Sequence, residues 1–429
     1  MKNIQLEWAE GVKLLKGEDK TLVANINNAK GMFVSNECIY IIQTAFENKL
    51  SLSEVLSSIC DIQSKEYFEL LVNRLQSLNM WADGNKQIIL PEDIEISLDI
   101  TNDCNLRCKH CCISAGDGLR GKDLPTTKLK EIIRKIIDLN PHLISISGGE
   151  PLIRPDFREL TNYLHMNYTG KLLLMTNAIL IDDNMAQFIY ENYDYVDVSI
   201  DGVDENTCSK IRGEGVFEKT LRGIQLLVAN SCKVTASMVV TEDNKHLKNK
   251  FSELCEKKLG IKYMFRVFEP VGRGEINKDF LQINTYEEQQ PNLCWEECEK
   301  KFVEHKLYKK IPQIFACQGA KRQFQIDHRG NLFPCASLME KSFNLGNLLE
   351  IEDFKDYIIN RKFSKTCGFH NFESCLPYNV PKCKDCNKQL LCFSCANTVK
   401  QHLKNNTIDK VCDENKNFFD LYWRYYGTC

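Results

Sequence analysis

The chain has no run of about 18 apolar residues, so nothing in it reads as a membrane span. Its opening, MKNIQLEWAE, lacks the apolar core of a secretory signal. Basic charge is not in excess either. Lys and Arg number 55 against 58 Asp and Glu, a net of −3, which gives no reason to expect nucleic acid. Together these absences describe a cytoplasmic protein with neither a membrane nor a nucleic-acid partner.

Cysteine, by contrast, is abundant: 21 in 429 residues. A reducing compartment excludes a disulfide framework on that scale. The clustered cysteines therefore read as metal ligands, and scattered ones such as Cys38, Cys60, Cys208, Cys232 and Cys255 as small core residues. The length suits two or three domains, and the 43% hydrophobic content supports sizeable cores.

The densest cluster is CNLRCKHCC (104–112), with Cys104, Cys108 and Cys111 at C-x3-C-x2-C spacing. Read alone, it suits a zinc loop as well as an iron–sulfur site. Iron–sulfur clusters normally take four thiolates. Three from one loop would leave one iron of a cubane open to a ligand. Cys112 reads as a neighbour of that site, because a fourth thiolate would close the open iron. His110 reads as an aromatic filler beside it.

Six strand-like runs surround this loop: IEISLDI (94–100), HLISIS (142–147), KLLLMTN (171–177), YVDVSI (195–200), KVTASMVV (233–240) and YMFRVFEP (263–270). Amphipathic stretches such as KLKEIIRKIIDL separate them, which implies parallel strands in βα units. The cysteine loop follows the first strand and GGEP (148–151) the second. Thr176 and Asn177 end the third, and Ser199 with Asp201 and Gly202 the fourth. Arg266 lies in the sixth, just before PVGRG (270–274).

This order of motifs resembles the radical S-adenosylmethionine (SAM) superfamily. The resemblance implies a partial (β/α)6 TIM barrel over 93–282, with working residues at the C-terminal strand ends. It also implies a 4Fe-4S cluster on Cys104, Cys108 and Cys111, whose open iron binds SAM for cleavage to a 5′-deoxyadenosyl radical. Gly148, Gly149, Glu150, Asn177, Ser199, Asp201 and Arg266 match positions around SAM. Glu150 would offer an acceptor for its ammonium, and Arg266 a partner for its carboxylate.

Residues 1–92 read as a small winged-helix α+β domain. Strand-like TLVANI (21–26) and GMFVS (31–35) precede three helical patterns, one opening with a Ser51–Glu54 capping box and one carrying Phe68, Leu71, Leu75 and Leu78 on a single face. Trp81 and QIIL (87–90) would close a wing. Nine Lys and Arg against eleven Asp and Glu in residues 1–90 give no basic face for DNA. The segment resembles the leader-peptide recognition domain of peptide maturases, which takes an extended peptide onto its sheet edge.

The remainder, 283–429, is cysteine-rich. CQGAKRQFQIDHRGNLFPC holds Cys317 and Cys335 around a hairpin pattern; CKDCNKQLLCFSC holds Cys383, Cys386, Cys392 and Cys395, with Cys412 beyond. C-x2-C pairs alone suit a zinc ribbon. The full order resembles the SPASM extension of radical SAM peptide-modifying enzymes, which carries auxiliary iron–sulfur clusters. That resemblance assigns Cys317, Cys335 and Cys395 to auxiliary cluster I, with Cys294 or Cys298 available as a fourth ligand. Cys383, Cys386, Cys392 and Cys412 fall to auxiliary cluster II. The C-x2-C of Cys392 and Cys395 departs from the C-x3-C expected there, and Cys367, Cys375 and Cys429 have no slot.

As a whole the chain resembles a radical SAM maturase that cross-links a ribosomally made precursor peptide, by thioether or carbon–carbon bonds. Its partners would be the peptide, bound through its leader, and a reductant such as flavodoxin or ferredoxin. Other readings are a sulfatase-maturing or quinone-cofactor enzyme, and a non-catalytic iron–sulfur or zinc scaffold.

Overall fold

The computed structural model describes residues 7–82, 91–118, 121–281, 314, 316–386, 388–391, 395–410 and 412. The expected wing QIIL, together with Cys294, Cys298, Cys392 and Cys429, lies outside these residues. The chain divides into two compact units. One gathers 1–88, 290–318 and 373–429; the other gathers 89–289 and 319–372.

In the first unit, β1 (Val12–Lys16), β2 (Lys20–Asn25) and β3 (Lys30–Ser35) form an antiparallel sheet in that order. Helices α1 (Asn36–Glu47), α2 (Leu52–Ser58) and α3 (Ile62–Ser77) follow. Their starts are written in the sequence. Ser35 caps α1 through the Cys38 N–H, Ser51 and Glu54 form a reciprocal capping box on α2, and Asp61 caps α3. Phe68, Leu71, Leu75 and Leu78 are all buried. They pack with Val23, Val34, Ile39 and Ile42 between helices and sheet. Trp8 stacks on Trp81 at 4.7 Å between ring centres. The other face of the sheet is also covered: Leu15, Leu22, Ala24 and Ile26 pack with Ile314, Leu390 and Leu391.

The second unit is built on six parallel strands: β4 (Glu95–Thr101), β5 (Leu143–Gly148), β6 (Lys171–Thr176), β7 (Tyr195–Ser199), β8 (Val234–Val240) and β9 (Lys262–Val267), each paired with the next. Connecting helices include α4 (Thr126–Leu139), α5 (Phe157–Asn167), α6 (Asp183–Asn192), α7 (Glu205–Arg212) and α8 (Val216–Ala229). Strand residues alternate with period two. Leu98, Ile144, Ile146, Val196, Val198, Ala236 and Met238 form the buried apolar set. Glu95, Ser97, Asp99, Ser145, Ser147 and Ser199 line the central cavity instead.

The expected border at residue 283 does not separate the tail from the barrel unit. Strand β10 (Gln323–Ile326) runs parallel to β4 in register, Gln323 opposite Glu95 and Ile326 opposite Leu98. Strands β11 (Asn331–Phe333) and β12 (Gly346–Asn347) extend the sheet to nine. Lys135 on α4 is buried and donates to the Leu348 and Ile351 carbonyls at 2.7 and 2.8 Å. Residues 319–372 therefore belong with the barrel by backbone pairing as well as packing. Among the described residues, no helix is long and apolar enough to cross a membrane.

Candidate functional site

The cysteine loop leaves the end of β4 and returns through Gly116, whose N–H donates to the Asn102 carbonyl at 2.8 Å. Backbone N–H groups point at sulfur within it: Leu106 N donates to Cys104 Sγ at 3.4 Å, and Ala115 N to Cys111 Sγ at 3.3 Å. Cys104, Cys108 and Cys111 all line a cavity of about 580 Å³ inside the barrel unit. No three His, Cys, Asp or Glu side chains among the described residues converge as ligands of one ion would; these thiols instead stand around a shared space. Burial pushes the Cys104 thiol up to about 12, its neighbours Cys108 and Cys111 adding to the shift and the Leu106 N–H opposing it. Burial likewise raises Cys108, with the Arg212 guanidinium opposing. Such thiols ionise when a metal replaces the proton. A soft, sulfur-only donor set with N–H groups aimed at it fits an iron–sulfur cluster.

Two glycine motifs wedge the loop in place. Gly148 sits at φ +135°, where an added Cβ would lie 2.3 Å from the Thr101 oxygen; at Gly149 it would lie 2.0 Å from the Asp103 oxygen. This close approach lets Gly149 N donate to Thr101 O, and Glu150 N to Asp103 O, each at 2.9 Å. PVGRG does the same from the end of β9. A Cβ on Gly272 (φ +57°) would meet the Cys112 carbonyl oxygen at 2.3 Å. Arg273 donates to the Cys108 and Ala115 carbonyls and pairs with Asp117 at 2.5 Å. Asp123 holds the loop's entry, accepting from Thr101 Oγ1 at 2.5 Å and Asn102 N at 2.9 Å.

The residues expected around SAM divide into two groups. Gly148, Gly149, Asn177, Ser199 and Arg266 line the same cavity as the three thiols. Asn177 Nδ2 donates to Asn105 Oδ1 at 2.7 Å. Arg266 pairs with Asp197 at 2.5 Å.

Glu150 and Asp201 are corrections: both are fully buried and neither reaches the cavity wall. The Glu150 carboxylate accepts from Thr176 Oγ1 and Asn177 N at 2.8 Å and from Leu152 N at 3.2 Å. Burial raises its pKa, with these donors opposing. It ties β5 to β6, with Oε1 taking two of the three donors and Oε2 one. Asp201 accepts from Arg212 Nε at 2.6 Å and Val239 N at 2.7 Å, with His110 Nε2 at 2.5 Å. Its burial would raise the carboxyl, but Arg212 and then His110 hold it at about 2. His110 is therefore a hydrogen-bonded anchor of the loop and not a filler.

Sequence reasoning missed Arg212 and Asp123 entirely and left Arg273 without a role. Arg212 Nη1 lies 3.9 Å from Cys108 Sγ and lines the cavity. Only Arg273 carried a signal, as part of PVGRG. The other two are isolated charges on the sequence, identified by tertiary contact alone.

Of the tail cysteines, Cys335 lines the barrel cavity. In the first unit, Cys317 and Cys395 are half-buried. Burial raises the Cys383 thiol, with Cys412 and Cys386 adding to the shift, so these three lie within electrostatic reach. Lys388 N donates to Cys386 Sγ at 3.4 Å, the same bond that Leu106 makes to Cys104.

Residues 98–249 match the model of the radical SAM superfamily. The mycofactocin maturase MftC of Mycobacterium tuberculosis (strain CDC 1551 / Oshkosh) is 28% identical over 279 residues, 62% of this chain and 70% of the relative. The AdoMet-dependent heme synthase of Methanosarcina barkeri (strain Fusaro / DSM 804) is 29% identical over 182 residues, 42% of this chain and 52% of the relative. Among solved structures, Streptococcus suis SuiB bound to precursor peptide SuiA superposes with a TM-score of 0.55 at 16% identity, covering 92% of this chain and 97% of that one. The anSMEcpe structure with bound AdoMet and Kp18Cys peptide has a TM-score of 0.52 at 19% identity, covering 75% and 99%. At these identities the superpositions speak for the fold. Together with the thiol-lined cavity at the strand ends, the match over 98–249 identifies that stretch as a radical SAM domain and the chain as an enzyme.

Proposed function

We propose that the enzyme matures a ribosomally synthesised precursor peptide by installing a cross-link, a thioether or a carbon–carbon bond. The observation that carries the reading is a three-stranded antiparallel sheet with β1 and β3 at its edges, in a chain whose barrel holds the three-thiol loop. An open edge offers main-chain donors and acceptors to an extended peptide. A leader docked there would tether its core peptide and raise the effective concentration at the cavity. The similarity to mycofactocin maturases and the long overlap with SuiB support this reading.

Cys104, Cys108 and Cys111 would hold the 4Fe-4S cluster, with SAM against the Gly148–Gly149 backbone, Asn177, Ser199 and Arg266. When bound, cluster and SAM supply the 5′-deoxyadenosyl radical that takes a hydrogen atom from the substrate. The protein's own part is to hold the loop rigid, orient the substrate and exclude water. The tail would carry auxiliary iron–sulfur clusters, as the SPASM resemblance implies, one of them on Cys383, Cys386, Cys392 and Cys412. Flavodoxin or ferredoxin would deliver electrons.

The test is anaerobic incubation of the reconstituted enzyme, SAM and reductant with a short precursor peptide encoded beside it. Loss of a hydrogen pair per link, dependent on the leader, is the expected mass spectrum. The likeness to heme synthases supports a second substrate class. Conversion of an iron tetrapyrrole, with the peptide untouched, would replace the peptide reading. Formylglycine in a sulfatase fragment would do the same.

A further inference from the structure

Asp201 and Arg212 form a buried ion pair, with His110 hydrogen-bonded to the same carboxylate, that the proposed chemistry does not use. Asp201 follows β7 and is fully buried. It meets His110 of the cysteine loop and Arg212 at the end of α7, so one carboxylate joins two elements. The Lys109 N–H donates to the Ile211 carbonyl at 2.9 Å, fixing the backbone of the loop against the same end of α7. With its Nε committed to Asp201, Arg212 directs Nη1 at Cys108 Sγ, 3.9 Å away. The glycine motifs and Arg273 already hold the loop's carbonyls. Asp201 balances the buried Arg212 charge, and the guanidinium still presents Nη1 donors to the sulfur. Donors and positive charge at a cluster's sulfurs favour its reduced form.

We propose that Arg212, oriented by Asp201, is a positioning residue that raises the reduction potential of the cluster on Cys104, Cys108 and Cys111 by donating to the Cys108 thiolate. This rests on the reading of the loop as an iron–sulfur site. Arginine suits the task because its planar fork serves the carboxylate and the sulfur at once, which a lysine ammonium cannot do in the same geometry.

The experiment is a potentiometric titration of the full-length reconstituted protein without SAM, followed by electron paramagnetic resonance. The wave absent from Cys104→Ala identifies the cluster in question. Arg212→Gln should move that wave to lower potential by more than the spread between titrations, and Arg212→Lys by less, with iron per chain unchanged in both. SAM affinity is measured separately. An unmoved wave with weakened SAM binding would overturn the proposal and make Arg212 a SAM contact. Loss of iron in both variants would also overturn it, leaving Arg212 a purely structural residue. If the unsubstituted protein shows no Cys104-dependent iron signal, the reading of the loop itself fails.

Discussion

Gly149→Ala is the sharpest perturbation of the loop. Its added Cβ would lie 2.0 Å from the Asp103 carbonyl oxygen, 2.6 Å from its carbon and 3.0 Å from the Asn102 oxygen. All three are backbone atoms, so no rotamer change clears them. Real Cβ atoms essentially never come under 3.0 Å from such neighbours. Asp103 must then retreat by about 1 Å and take Cys104 with it, because close-packed interiors transmit displacement. Overpacking of this kind costs about 1–3 kcal/mol in stability. A misplacement of about 1 Å costs on the order of 10²-fold in rate. The assay is iron per chain together with 5′-deoxyadenosine formed under reducing conditions, both expected to fall. Gly260→Ala is the control: at φ +65° with nothing within 4 Å, it strains the backbone by about 1–2 kcal/mol and leaves the site alone. Should Gly149→Ala carry full iron and form deoxyadenosine at the unsubstituted rate, the claim that GGEP wedges the cysteine loop is wrong.

Cys104→Ala should abolish deoxyadenosine formation while sparing iron bound by the tail, read by chemical iron analysis and Mössbauer spectroscopy. Asp201→Asn should lower stability by about 3–5 kcal/mol in urea unfolding, since the Arg212 cation keeps its burial and loses its counter-charge. The Asp201 carboxyl is held at about 2, below its ordinary 3.8. Its stabilisation is therefore complete above pH 3.8 and lost as pH falls towards 2, where the gap between the two proteins should close. Leu391→Asp puts a charge into the apolar layer beneath the β1–β3 sheet, at a cost on the order of 3 kcal/mol. Iron at the tail cysteines should fall while the Cys104-dependent signal stays, and equal losses at both sites would refute that local reading.

Local rules made much of this fold legible. The Ser51–Glu54 capping box, the Phe68-to-Leu78 face and all six parallel strands come from neighbours in sequence, where period and cap chemistry act directly. The strand Val12–Lys16 escaped notice because VKLLK is short and too lysine-rich to read as half-buried. The pairing of Gln323–Ile326 with β4 joins residues more than two hundred positions apart, and no period or turn signal announces such a partner. At the site, cysteine spacing and glycine pairs were readable because backbone approach demands those residue types. Glu150 shows what sequence leaves out: a carboxylate beside two glycines looks exposed to the cavity, yet it is fully buried and takes donors from Thr176 and the Asn177 N–H. The polar positions that alternate with apolar ones along the strands, Ser97, Asp99, Ser145, Ser147 and Ser199, reach the cavity beside apolar side chains such as Leu173 and Met175.

The hydrogen bonds around the loop show where its specificity lies. Thr101 O accepts from Gly149, Asn102 O from Gly116, and Asp103 O from Glu150. Cys108 O and Ala115 O accept from the Arg273 side chain, and Cys111 O from the Arg273 backbone. Each of these six carbonyls is thus satisfied by protein, drawn from the ends of β5 and β9 and from the loop itself. The three sulfurs receive only long N–H contacts and face the cavity. A loop whose backbone depended on metal for its shape would leave carbonyls to be ordered by binding, as in small domains that fold around their ion. Here these carbonyls are already held while the thiols face the cavity, so less binding energy need go to ordering the chain and more can go to the bound group. That division explains why residues remote in sequence, Asp123, Asp201, Arg212 and Arg273, matter to a site whose visible signature is three cysteines.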